Sequence, residues 1–182
     1  MRRTTTEVLG MVSRNLTSWS TVQGLKLGGC LWTTVLLGAL AWLNRQNDGI
    51  FLVPPFAATL TILVYLPNAS VAQPIAVVCG SVFGAAIGTV FSLLLGVGAG
   101  VAILAAITTM VLLPLFRIFH PPGVALAMCP ALLHLGLLFP IQIVLPFTLA
   151  AVISWTVINR LLEAWDAACA STRHRTRGPK TG

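Results

Sequence analysis

What most constrains this chain is how little interrupts its apolar sequence. Runs of about 17–25 apolar residues read as membrane-spanning helices, and six such segments can be cut here. They lie at about 25–43, 51–66, 74–95, 101–119, 121–139 and 141–162. Of the 182 residues 57% are hydrophobic and only 8% charged, with a mean hydropathy of +0.92. A soluble domain carries about 25% charged residues. The deficit excludes a soluble globular protein. The expectation is an all-α integral membrane protein with one bundle over residues 24–165 and no soluble domain.

The net charge of +7 would suit a nucleic-acid partner if it formed a patch, but it gathers at the two ends. Arg2, Arg3 and Arg14 precede the first segment, and Lys26 stands at its head. Arg160, Arg173, Arg175, Arg177 and Lys180 follow the core of the last. Cytoplasmic flanks collect Lys and Arg in this way, so both termini are expected in the cytoplasm and no nucleic acid is expected. Six crossings return the chain to the side where it began, in agreement with the charges. Arg117 then falls in a cytoplasmic connection, while Arg45 and Asp48 fall outside as a nearly neutral pair. A bacterial inner membrane fits, with an organelle membrane as the alternative.

Residues 1–23 place Val8, Val12, Leu16 and Trp19 at helical spacing beside Arg14. That pattern suits an amphipathic helix lying on the membrane surface; an Arg-rich, acid-poor transit peptide is the competing reading. Residues 166–182 read as a basic cytoplasmic tail able to touch anionic lipid.

Several chemistries are set aside. Cys30, Cys79 and Cys129 sit in apolar segments and Cys169 in the tail, with no C-x-x-C pair or metal-ligand spacing, so no metal or cofactor is expected. Glu7, Asp48, Glu163 and Asp166 lie near segment ends, leaving no buried carboxylate pair for acid–base catalysis. An enzyme is not expected. His120 and His134 would be about 21 Å apart on one helix, but paired haem ligation needs matching histidines that the chain lacks.

Gly80, Gly84 and Gly88 form a small-xxx-small stripe along the third segment. In lipid such a stripe lets two backbones pack closely. The partner is either another helix of this chain or the same helix of a second copy, which makes a homodimer a reasonable expectation.

The chain holds two Pro-Pro pairs, Pro54-Pro55 in "LVPPFAATLTIL" and Pro121-Pro122 in "RIFHPPGVALAM". Segments one to three and four to six have similar lengths, and each half carries its pair at the head of its middle segment. Three crossings per half give the halves opposite orientations. That predicts two inverted three-segment repeats, in which paired Pro-interrupted segments point to the binding site. Proline is favoured at the first turn of a helix, and the residue before it is pushed to extended geometry. Each pair therefore predicts an unwound stretch followed by a fresh helix N-terminus. Helix N-termini attract anions through their dipole and free N–H groups, and Gly123 would let a ligand approach the backbone. The plainer reading is that each pair ends one helix and starts the next at the membrane surface.

These motifs carry a resemblance. The chain resembles the HPP family of small integral membrane proteins, named for the tripeptide at His120-Pro121-Pro122. Members typically show Pro-Pro-Phe-Gly-Ala, then Ala-Gln-Pro-Arg-Asn followed by Gly-Gly-His, then His-Pro-Pro-Gly-Gly-Ala. Pro54, Pro55, Phe56 and Ala58 match the first; Ala72, Gln73, Pro74 and Gly80 match part of the second. His120, Pro121, Pro122, Gly123 and Ala125 match the third. The resemblance runs in order over about residues 25–162. It departs at Ile75, Ala76, Cys79, Ser81 and Val124.

Members from photosynthetic lineages are linked to nitrite transport, so the resemblance implies a transporter or channel for a small monovalent anion, nitrite first. The expected substrate-binding residues are His120, Pro121, Pro122, Gly123, Pro54, Pro55, Phe56, Ala57, Gln73 and Ser81. His120 can act as ligand contact or proton carrier, or simply cap a helix end. Gln73 can orient an oxyanion or cap the third helix. Thr59 and Thr61 can line a polar path, and Arg117 reads as a topological anchor before an anion binder. The rival function is a structural or regulatory membrane subunit that transports nothing.

Overall fold

The computed structural model describes residues 27–46 and 52–176, and the expected surface helix at 1–23 lies outside them. Among the described residues every regular element is helical. Six helices follow in order: α1 (Leu27–Gln46), α2 (Pro54–Tyr65), α3 (Pro74–Leu95), α4 (Ala99–Leu115), α5 (Pro121–Leu133) and α6 (Leu145–Thr176). A 3-10 turn at Ser70–Ala72 precedes α3, and a π-turn at Pro140–Val144 leads into α6.

Along α4 the usual distribution is inverted, with mostly small residues inside and large ones outside. α4 buries Ala102, Ala105, Thr109 and Leu113 while exposing Ile103, Leu104, Ile107, Met110 and Val111. In water that face would be a severe liability. Against lipid tails it costs nothing, and helix association comes from close packing of small residues. Leu27–Arg45, Pro74–Leu95 and Pro140–Leu161 are long and apolar enough to span a bilayer. The chain is an integral membrane protein by this pattern.

The other three helices are shorter than the expected segments, for local reasons. α2 has 12 residues, about 18 Å, against a hydrocarbon core of about 30 Å. It stops before Leu66-Pro67, since the proline disfavours helical geometry in the residue ahead of it. α4 closes on a left-handed Arg117 (φ 58). The Ile118 N–H reaches back to Leu113 O at 3.0 Å, the six-to-one bond of a Schellman cap. α5 has 13 residues, about 20 Å. Pro130 within it has no N–H for the ladder, and His134, left-handed at φ 55 and ψ 41, ends it. The residues out to Phe139 are therefore not part of this helix. Pro146 likewise cannot bond the carbonyl four residues back, and the preceding turn widens so that Leu145 N reaches Pro140 O.

α3 and α5 pack backbone to backbone. A Cβ on Gly80 would strike Ile118 O, one on Gly84 would strike Gly123 O, and one on Gly88 would strike Ala127 O. The matched order shows that α3 and α5 run in the same direction, with α4 returning between them. The glycine stripe is thus occupied inside the chain, and a second copy would need a different face. At one end of the bundle α1 leans on α6: the Trp32 and Trp155 rings are 4.9 Å apart, and Trp32 Nε1 donates to Ser154 Oγ at 2.9 Å. Gly29, on the same turn of α1, faces Val64 near the end of α2. Deeper in, Phe56 of α2 stacks on Phe147 of α6, centroids 3.9 Å apart.

Candidate functional site

Both Pro-Pro pairs start helices. Val53 (φ −113, ψ 141) and His120 (φ −133, ψ 109) are extended N-caps, as the prolines after them require. In each start the first proline is exposed and the second buried. The third residue then bonds back to the cap: Phe56 N to Val53 O at 3.0 Å, and Gly123 N to His120 O at 2.8 Å. Proline has no N–H, so the first two helical positions present no donor, and the third donor is already taken. The free N–H groups that make helix starts anion sites are absent here. Only the dipole remains.

The two starts meet through His120. Its imidazole is fully buried, with Gly80 of α3 packed on its Cβ side. Nδ1 lies 2.8 Å from Val71 O in the 3-10 turn, and Nε2 lies 3.1 Å from Thr59 Oγ in α2. A carbonyl only accepts, so Nδ1 carries a proton. Thr59 also sits 3.2 Å from Pro55 O, and this second acceptor matters. With neutral imidazole, the Thr59 hydroxyl donates to Nε2. With both nitrogens protonated, Nε2–H donates to Thr59 Oγ, whose own proton turns to Pro55 O. Rotation of one hydroxyl satisfies either state, and no heavy atom has to move.

The remaining expected residues divide. Pro55, Phe56, Pro122, Gly123 and Ser81 are buried, Ala57 is half-buried, and Pro54, Pro121 and Gln73 are exposed. Gly123 presses on Gly80 O, so its missing side chain serves helix contact. Gln73 is the N-cap of α3 but makes no side-chain cap bond. Ser81 Oγ is buried without a hydrogen-bond partner among the described residues. Arg117 is exposed and closes α4. Thr61 is exposed and bonds back to Ala57 O.

A second polar region was not foreseen. A cavity of about 280 Å³ opens between the end of α2, the start of α3 and α6. Asn68, Trp155, Thr156, Asn159 and Arg160 line it, together with Ala72 and Pro74. Thr156, Asn159 and Arg160 fall on one helix face by their spacing, which was a readable signal. Asn68, some ninety residues earlier, offered none. The 3-10 turn divides this cavity from the histidine, since Val71 O holds His120 while Ala72 lines the cavity.

The fold and junction define a class: a small helical membrane protein with a buried histidine between two Pro-Pro-initiated helices. The family described as "HPP, transmembrane region" matches residues 18–167, and the chain belongs to it. No curated protein and no solved structure matches the chain.

Proposed function

We propose that this chain is a transporter or channel for a small monovalent anion, nitrite first, working at the junction of α2, α3 and α5. In this reading α1–α3 and α4–α6 are two inverted repeats. α2 passes His120 at Thr59, five residues after its start at Pro54, and runs on toward the start of α3, whereas α5 starts at His120 and runs toward the end of α3. Two Pro-Pro helices that run in opposite directions past His120 support the repeat and put two positive dipole ends within about 8 Å of depth of each other. Arg160 and the start of α1 share one end of the bundle, which supports cytoplasmic placement of both termini in a bacterial inner membrane. Any homodimer would use a face other than the glycine stripe.

The observation that carries the reading is His120, buried with a hydrogen-bond set that either protonation state satisfies. A buried charge is costly unless it is paired. An imidazolium there would be paired by an anion at the junction, and Ser81 adds an unengaged hydroxyl on the adjoining helix. Proton and anion would then travel together. That coupling matters because an inside-negative potential opposes anion uptake by about 2.3 kcal/mol per charge per 100 mV, and a proton cancels the charge. The test is flux into liposomes holding this protein alone, with nitrite, nitrate, formate and chloride offered separately. Saturable nitrite flux is expected.

The close packing of α3 on α5 favours a second reading, a structural or regulatory subunit that moves nothing across lipid. It predicts no flux of any of the four anions above that of empty liposomes.

A further inference from the structure

The cavity beside Arg160 has a chemistry of its own. Arg160 contributes a guanidinium, Asn68 and Asn159 contribute amides, and Thr156 a hydroxyl. These groups come from two segments far apart in sequence. The Thr156 hydroxyl already donates to Val152 O at 2.8 Å, so the donors that face a ligand are the guanidinium and the two amides. None of the described residues lining the cavity is acidic. A guanidinium's planar fork fits oxyanions in two-point fashion.

The adjoining helix start adds to this. α3 begins with one proline instead of two. Pro74 lacks an N–H, but those of Ile75 and Ala76 find no acceptor among the described residues; the first bonded one is Val77, to Gln73 O at 2.9 Å. The cavity wall at Pro74 is therefore the start of a 22-residue helix, whose positive dipole end lies beside the cavity. A volume of about 280 Å³ equals roughly nine waters, enough for a small oxyanion with part of its hydration shell.

We propose that this cavity is an oxyanion-binding site, with Arg160 as its principal ligand and Asn68 and Asn159 as neutral donors. The recognised group is a small oxyanion, either free or as the phosphate of a lipid headgroup reaching the end of the bundle. The site lies outside the His120 junction, and binding there does not depend on transport.

The test is thermal unfolding of the full chain in phosphatidylcholine nanodiscs, read by tryptophan fluorescence. Inorganic phosphate or formate is titrated at constant ionic strength made up with chloride. A second arm omits both and adds phosphatidylglycerol to the discs. A saturable rise in melting temperature in the first arm identifies a free anion, and one confined to the second identifies a headgroup; either supports the site. Arg160→Gln should weaken the response about tenfold or more, Asn159→Ala less, and Arg45→Gln, at the far end of α1, not at all. Arg160→Lys should keep part of the response, because charge remains while the fork is lost. The proposal is overturned if no ligand produces a saturable rise. It is equally overturned if Arg160→Gln, melting normally without ligand, responds like the parent.

Discussion

The two Pro-Pro starts are nearly identical as local structures and different as tertiary ones. Each has an extended cap, an exposed first proline, a buried second proline and a third residue bonded back to the cap. At α2 that third residue is Phe56, which drives a ring into the core against Phe147. At α5 it is Gly123, which lets backbone meet backbone at Gly80. The caps differ as well: Val53 is an apolar filler, whereas His120 ties α5 to α2 and to the 3-10 turn. Proline chemistry sets where a helix begins. The residues on either side of it decide whether the start is core, contact or chemistry. The single-proline start of α3 completes the contrast, because it keeps the N–H of its second residue, Ile75, which a Pro-Pro start lacks.

The largest effect should come from breaking the glycine side of this comparison. Gly84→Leu forces a side chain into Gly123 O, which is backbone and cannot swing aside. The expected loss is about 3 kcal/mol or more, read as collapse of monodisperse yield and melting temperature. Gly38, with open space around its Cβ position, is the control: Gly38→Ala should change stability by less than about 1 kcal/mol.

A smaller effect is expected at the histidine. His120→Ala leaves Val71 O and Thr59 without their partner and empties a packed site, at a cost of about 2–3 kcal/mol. Val53→Ala, the equivalent change at the other cap, removes only apolar contact and should cost about 1–2 kcal/mol. Equal losses in the two variants, measured by thermal unfolding, would erase the distinction drawn between the caps.

The smallest effect sharpens the role of Ser81. Its hydroxyl has no partner among the described residues, so Ser81→Ala should be neutral or stabilising by up to about 1 kcal/mol in the ligand-free protein. If the same variant weakens anion flux, the hydroxyl serves a ligand; if flux is untouched, Ser81 leaves the candidate site.

Much of the architecture was legible because membrane sequence is blunt. Apolar runs marked the segments, and Pro54, Pro74 and Pro121 marked three helix starts, since proline acts on its own residue and the one before. Helix ends were less legible. His134 ends α5 in a left-handed conformation that no neighbouring residue announces, and the bend into α6 depends on Pro140 and Pro146 together. At each Pro-Pro start two N–H groups are missing, so the dipole is what is left there to attract an anion. Contacts between distant residues were out of reach. Thr59 and His120 are 61 positions apart, and only the packing of α3 on α5 brings the imidazole to α2.

Proton coupling at His120 is the central claim, and it is tested most directly by trapping a pH-sensitive dye in liposomes that hold this protein alone. Nitrite is added outside at alkaline pH, where leak of nitrous acid is least. The account predicts acidification of the lumen that follows nitrite uptake and saturates, and that is lost in His120→Ala while Gly38→Ala retains it. Nitrite flux without proton movement, or with the same proton movement in His120→Ala, would contradict it.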